Sequence, residues 1–256
     1  MKKLESIEDK LIPAVFSGIL ILTWYFTVES GYIKEFTLPS PIGVIKALFD
    51  ILPDLRVHIA VTLQEALAGF FISIALSIIL AILMDNIEIA RKAVYPLLIV
   101  SQTVPIIALA PLFVMWFGFG IIPKIIVVIL VCFFPIVVSL LEGLSSVDRD
   151  LLNLMKSMGA SRLQIFKMVK FPASMISFFS GLRIAATYSI MGAVIGEWLG
   201  GRAGLGLYML RVKNSYAYDK MFATILIIVV LSMTVFKTIS LIQYLSMPWF
   251  REMKEE

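Results

Sequence analysis

Six apolar stretches, each about the length of a bilayer crossing, decide most of what this chain can become. A helix needs about 20 consecutive apolar residues to cross the hydrocarbon core. The stretches fall at roughly 12–29, 59–84, 93–117, 121–141, 174–199 and 221–246. Of the 256 residues, 60% are hydrophobic and 16% are charged. Soluble domains average about 45–50% and about 25%. A soluble domain of this composition could not cover itself with polar surface. The expected fold class is therefore all-α and polytopic, with six transmembrane helices.

The first stretch has to be distinguished from a cleaved signal. Residues 1–10 are polar and carry Lys2, Lys3 and Lys10, and the apolar run Leu11–Val28 follows. That run is longer than the core of a signal peptide, and no small-x-small cleavage site follows it at Glu29-Ser30-Gly31-Tyr32. It reads as a retained first span. With the N-terminus cytoplasmic, the inside segments carry twelve Lys and Arg and the outside segments eight. The balance favours both termini on the cytoplasmic side. The net charge of +4 is dispersed, which suits loops facing anionic lipid and not a nucleic-acid surface. One cysteine, Cys132, and one histidine, His58, leave neither an internal disulfide nor a Cys/His metal site.

The longest polar-rich segment lies between two apolar stretches, from Asp150 to Pro172. Its residues predict a built structure. Asp150–Met158 can form a short helix, and Gly159 suits a left-handed turn. Ser161 followed by Gln164 has the form of a capping box for a second helix, which Pro172 should end or bend. Leu163, Phe166 and Val169 offer apolar knobs, flanked by Arg162, Lys167 and Lys170. Such a helix suits a groove on a partner protein, or alternatively the lipid headgroup layer.

Other features each carry two readings. Ile42–Leu52, after the turn Leu38-Pro39-Ser40-Pro41, has apolar spacing for a helix lying on the membrane surface, or it is a plain connector. Pro105 and Pro111 predict a kinked third span that packs against neighbours or lines a cavity. Beside them, Ser101, Gln102 and Thr103 are polar enough for a solute path, although Ser and Thr often bond to their own helix. Arg183 lies deep in the fifth stretch, with Glu65 and Glu197 as candidate partners; it is a charged cavity wall or one half of a structural pair. Gly192, Gly196 and Gly200 recur every four residues, which permits close helix packing within the chain or across a homodimer.

What is absent is also informative. No GxxxxGK[ST] loop, HExxH or GxSxG motif occurs. No catalytic residues, cofactor or metal are expected. A transport subunit that draws its energy from another chain fits these absences.

At this point the chain resembles a known family: the membrane-spanning permease subunits of binding-protein-dependent ABC importers, in the branch of nitrate, sulfonate and taurine permeases. That branch also holds permeases for the thiamine-precursor pyrimidine and for riboflavin. The family signature is Glu-Ala-Ala, three residues, Gly, then an amphipathic helix closed by Leu-Pro. Here it reads Asn153-Leu154-Met155, Lys156-Ser157-Met158, then Gly159-Ala160-Ser161-Arg162-Leu163-Gln164-Ile165-Phe166, closing at Phe171-Pro172. Asn153 replaces the acid, Leu154 and Met155 the alanines, and Phe171 the leucine. Further matches are Leu38–Pro41, Ala110–Phe113 with Trp116–Gly120, Gly181-Leu182-Arg183, and Glu197–Gly200 with Gly204-Leu205-Gly206.

The resemblance implies the permease fold over 1–256 as a single domain, with 150–172 as a cytoplasmic coupling segment. It implies two copies in a prokaryotic cell membrane. Each copy docks one of two separate ABC ATPase subunits through Asn153, Gly159, Ala160, Ser161, Arg162, Leu163, Gln164, Phe166 and Pro172. An extracytoplasmic binding protein delivers the solute. Gln102, Thr103, Arg183 and Glu197 are the candidates for the path, and membrane lipid is the surroundings. The wording around Glu197–Tyr208 and Ser215–Lys220 leans toward the pyrimidine and riboflavin members. The alternatives are a passive channel or scaffold without ATP coupling, and an intramembrane enzyme, which would need a carboxylate pair such as Glu65 and Glu197.

Overall fold

The computed structural model describes residues 2–247, with side chains from residue 11 onward. The side chains of Lys2, Lys3 and Lys10, and all of Arg251 and Lys254, lie outside the described residues. Every described element is helical. In chain order they are α1 (Lys2–Glu29), α2 (Pro41–Asn86), α3 (Glu88–Ser101), α4 (Ile106–Phe117), α5 (Ile121–Ser145), α6 (Arg149–Ser157) and α7 (Arg162–Ile165). A π-helical turn at Phe166–Lys170 follows, then α8 (Phe171–Glu197), α9 (Leu205–Asn214) and α10 (Tyr218–Ser246).

Five helical runs are long and apolar enough to cross a membrane: Leu11–Glu29, α2, α5, Arg162–Glu197 and α10. The third expected span, 93–117, is not one helix. It is the pair α3 and α4, bent by 101° at a break over residues 102–105. Proline explains the place of the break. Pro105 lacks an N–H and disfavours helical geometry in the residue before it. It sits extended at φ −63° and ψ 118° as the N-cap of α4. Pro96 and Pro111, by contrast, stay inside their helices. The pair still carries the chain from one end of the bundle to the other. At its start, Arg91 Nη1 donates to Ser145 Oγ at 3.2 Å, at the end of α5. At its far end, Phe119 packs on Gly200, beyond the opposite end of α8. The bent pair therefore serves as one crossing.

Two further expectations are corrected. The short helix read over 42–52, as a surface helix or a plain connector, is not separate, because α2 runs unbroken for 46 residues through Pro53. At 1.5 Å per residue that is roughly 69 Å, about twice the hydrocarbon thickness. Its first turns bury Val44, Ala47, Ile51 and Leu55 on one stripe, leaving Ile45 and Phe49 outward. Pro172 does not end the second helix of the polar segment. Phe171 N–H donates to Phe166 O, five residues back, and α8 continues with Pro172 in its first turn. A widened π turn accommodates a residue with no donor at that point.

The chain divides into two compact units: residues up to Val57 with Tyr208–Ile227, and His58–Leu207 with the chain from Ile228. In the first, Trp24 Nε1 donates to Pro39 O at 3.1 Å and its ring lies 6.2 Å from that of Phe222. Leu11, Phe16, Ile19 and Phe26 on α1 are exposed, as lipid-facing residues should be. The second unit is built on contact between α5 and α8. Ala185, Ala186, Ile190 and Ala193 of α8 pack with Val128, Val131, Cys132 and Ile136 of α5.

That contact is close because glycine lets backbones touch, which matters where lipid offers no hydrophobic drive for helix pairing. A methyl group built on Gly181 would meet Pro135 O at 2.6 Å, on Gly192 Val131 Cγ2 at 2.7 Å, and on Gly196 Lys124 Cα at 3.0 Å. Gly143 of α5 approaches Ser174 in the same way, at 3.0 Å. The glycine stripe is therefore an intrachain seam of Gly181, Gly192 and Gly196. Gly200, expected to belong to it, lies past the end of α8. Gly192→Leu should cost about 1–3 kcal/mol and lower the thermal midpoint of the detergent-solubilised protein. Gly18→Leu should leave that midpoint unchanged, since nothing lies within 4 Å of a side chain placed there.

Candidate functional site

The polar segment forms as a capped, ordered structure. Asp148 caps α6 by accepting from Asp150 N–H at 2.8 Å. Gly159 takes φ +82°, a geometry glycine adopts at least cost. Ser161 Oγ accepts from Gln164 N–H at 3.3 Å, and Gln164 Oε1 accepts from Ser161 N–H at 2.7 Å, completing the expected capping box. Lys170 then ties the segment to the end of α2, its Nζ lying 2.7 Å from Asp85 Oδ1 and 2.9 Å from Oδ2. A cavity of about 370 Å³ lies here, lined by Asp85, Asn86, Lys156, Arg162, Phe166 and Lys170 among others.

The outward face of the segment differs from the one expected. Ile165 is buried, and Phe166 and Val169 are half-buried. The Phe166 ring lies 6.0 Å from that of Phe171 and packs on the core that Leu140 and Leu144 share with α2. Of the three expected knobs only Leu163 faces out, at 61% exposed. With it are Leu151, Leu154, Met158 and Met168. Asn153, Ser161, Arg162 and Gln164 are exposed beside them, while Ala160 and Pro172 are half-buried. Helix α6 thus carries apolar residues on two faces: Leu152 and Met155 half-buried, Leu151 and Leu154 outward. A surface helix with that pattern has a covered side and a side that this chain leaves uncovered.

The opposite end of the larger unit holds a buried polar network that the sequence did not reveal. Lys124 Nζ lies 2.7 Å from Glu65 Oε1, and the two residues are 5% and 2% exposed. Glu197 is fully buried. Its Oε1 accepts from Thr62 Oγ1 at 2.5 Å, and its Oε2 from Gly206 N–H at 2.5 Å. Thr62 Oγ1 also accepts from Leu205 N–H at 2.9 Å, and His58 Nδ1 from Gly204 N–H at 3.0 Å. Gly204, at φ +133°, has no room for a side chain, which would fall on the Glu197 carboxylate. These bonds pin residues 204–206 to α2 and α8.

This placement corrects the pairing expected for Arg183. Glu65 and Glu197 are taken by Lys124, Thr62 and Gly206. Arg183 instead donates from Nη2 to Ser180 Oγ at 3.1 Å, one turn back. It is half-buried in mid-span, about 100° around α8 from the exposed stripe of Ile184, Tyr188 and Met191. Gln102 and Thr103 are exposed at the break between α3 and α4, where Ser101 and Thr103 return their hydroxyls to Leu98 O and Val100 O. The structure does not bring Gln102 and Thr103 into the Glu197 network. Among the described residues no group of His, Cys, Asp and Glu could hold a metal ion.

A buried pair missing one partner is penalised heavily. Lys124→Met should destabilise the solubilised protein by about 3–5 kcal/mol. Lys124→Met combined with Glu65→Leu should recover most of that loss in the same thermal assay.

Residues 73–251 match the family model of the binding-protein-dependent transport system inner membrane component. The formylaminopyrimidine transport permease protein ThiX of Halalkalibacterium halodurans is 38% identical over 240 residues, 93% of this chain and 96% of that protein. A probable ABC transporter permease of Haemophilus influenzae is 34% identical, over 93% and 94% of the two chains. The riboflavin transport system permease protein RibX of Chloroflexus aurantiacus is 30% identical, over 90% and 87%. The chain belongs to the binding-protein-dependent ABC importer permeases, in the branch of the nitrate, sulfonate and taurine systems.

Proposed function

We propose that this protein is the permease subunit of an ATP-driven importer. It works as a pair in a prokaryotic cell membrane, with both termini in the cytoplasm. Each copy receives the force of ATP binding from a separate ATPase subunit through α6, the Gly159 turn and α7. An extracytoplasmic binding protein delivers the solute. The solute is an aminopyrimidine precursor of thiamine or riboflavin, in keeping with the ThiX and RibX relatives. Arg183, half-buried on the flank of α8, lines the path together with Gln102 and Thr103 in this reading. Glu197, also expected there, holds the 204–206 loop in place.

The observation that carries this reading is the outward apolar face of the capped segment. Leu151, Leu154, Met158, Leu163 and Met168 are exposed on an ordered, charged-rimmed structure. Apolar anchors ringed by polar groups are the form of a protein-docking surface. Asp85 and Lys170 provide the mechanical link, joining the segment to α2 through a pair half shielded from water.

Leu154→Asp and Leu163→Asp change exposed side chains, so folding and membrane insertion should be retained. Each should reduce co-purification with the ATPase subunits at least about tenfold, the equivalent of 1.4 kcal/mol, and abolish ATP-dependent uptake into vesicles. Gly159→Pro should do the same by removing the left-handed turn. Normal ATPase binding and uptake in all three variants would refute the coupling role.

A further inference from the structure

The cavity beside Lys170 lies where two membrane-crossing runs of the larger unit meet one surface. Helix α2 ends there at Asn86, and the run Arg162–Glu197 begins there. The cavity holds about 370 Å³. Its charged lining is Lys156, Arg162 and Lys170 against a single carboxylate, Asp85. Lys170 already takes that carboxylate, its Nζ lying 2.7 Å from one oxygen and 2.9 Å from the other. Among the described residues Lys156 and Arg162 make no ion pair and no side-chain hydrogen bond. Two positive charges therefore face one cavity with no counter-charge from this chain. They stand on either side of the Gly159 turn, Lys156 near the end of α6 and Arg162 at the start of α7. An anion with several acceptor oxygens, such as a phosphate, can accept from both at once.

The surroundings of the cavity select the source of that phosphate. Asn86 lines the cavity and shares one stripe of α2 with Leu83 and Ile79, three and seven residues back. Those two side chains are 42% and 66% exposed. Phe166 supplies apolar wall, and its ring lies 6.0 Å from that of Phe171, which is also exposed. From the cations toward the membrane interior, the outward side chains are thus apolar. A soluble phosphate uses only the cations. A phospholipid uses both, its phosphate at Lys156 and Arg162 and its acyl chains along Leu83 and Ile79. A zwitterionic lipid brings an ammonium of its own toward the two cations, and an anionic lipid does not. We propose that this cavity is a headgroup site for an anionic phospholipid, which clips α6 to α7 across the Gly159 turn and ties the capped segment to the bilayer. The proposal needs the membrane location of the chain and not the ATPase-docking role of the segment.

The test uses the full chain in neutral detergent, alone and assembled with its ATPase subunits, and measures equilibrium binding of tritiated phosphatidylglycerol. Saturable binding is expected in both forms, weakened about fivefold in Lys156→Gln and in Arg162→Gln. Both side chains are exposed, so folding should be retained. Lys167→Gln removes an exposed cation of the same segment that does not line the cavity, and should bind as the wild type does. Unlabelled phosphatidylglycerol should displace the label at concentrations where phosphatidylcholine and sn-glycerol 3-phosphate do not. Absence of saturable binding overturns the site, as does an equal loss in all three variants, the mark of a diffuse basic surface. Displacement by sn-glycerol 3-phosphate as effective as by the lipid would assign the cavity to soluble phosphate and overturn the lipid. Binding by the chain alone that vanishes on assembly would mean that the ATPase fills the cavity, and overturns the proposal as well.

Discussion

The bare-backbone contact between α5 and α8 sets the rest of the larger unit. Lipid tails offer helices no hydrophobic reason to associate, so the pair depends on close packing. Gly181, Gly192 and Gly196 on one helix and Gly143 on the other provide it. At one end, the approach of Gly143 to Ser174 fixes the start of α8, and with it the π turn and the capped segment joined to it. At the other end, the approach of Gly196 to Lys124 holds the ammonium where Glu65 can meet it. A single close-packed pair thus links the capped segment at one end of the larger unit to the buried polar network at the other.

Such a link gives the transport reading its physical content. In the coupling proposed above, a docked ATPase subunit would act on α6 and α7; α7 continues into α8 through the π turn, and Lys170 pins that turn to Asp85 of α2. Displacement of the segment therefore reaches two long helices at once. Helix α8 ends at the network that holds residues 204–206, and α2 passes through it at Thr62. Packed helices transmit such motion because their interiors resist compression.

Local chemistry was legible in the sequence; partners across space were not. The capping box at Ser161 and Gln164 and the turn at Gly159 were readable because each depends on residues within one turn. The apolar stretches were readable because length and hydropathy alone determine them. The bend in the third span was foreseen as a proline kink, but its size was not, since a 101° break depends on what the next helix packs against. The run-on of α8 through Pro172 was missed because a π turn leaves no composition signal. Lys124 is one of the eight Lys and Arg that the topology count places outside. A lone lysine inside the apolar run Ile121–Leu130, with no polar neighbour, was the available clue that it is buried and paired. Arg183 was assigned the wrong carboxylates because the sequence cannot say which acid faces which helix.

The most direct measurement is cross-linking from the outward face of the segment. Cys132, the native thiol, is buried, so a Leu163→Cys variant presents one reactive thiol to a short bifunctional reagent. The account predicts an adduct with the ATPase subunit whose yield changes when ATP is added. Labelling by a thiol-reactive lipid probe, with no ATPase adduct in either condition, would contradict it.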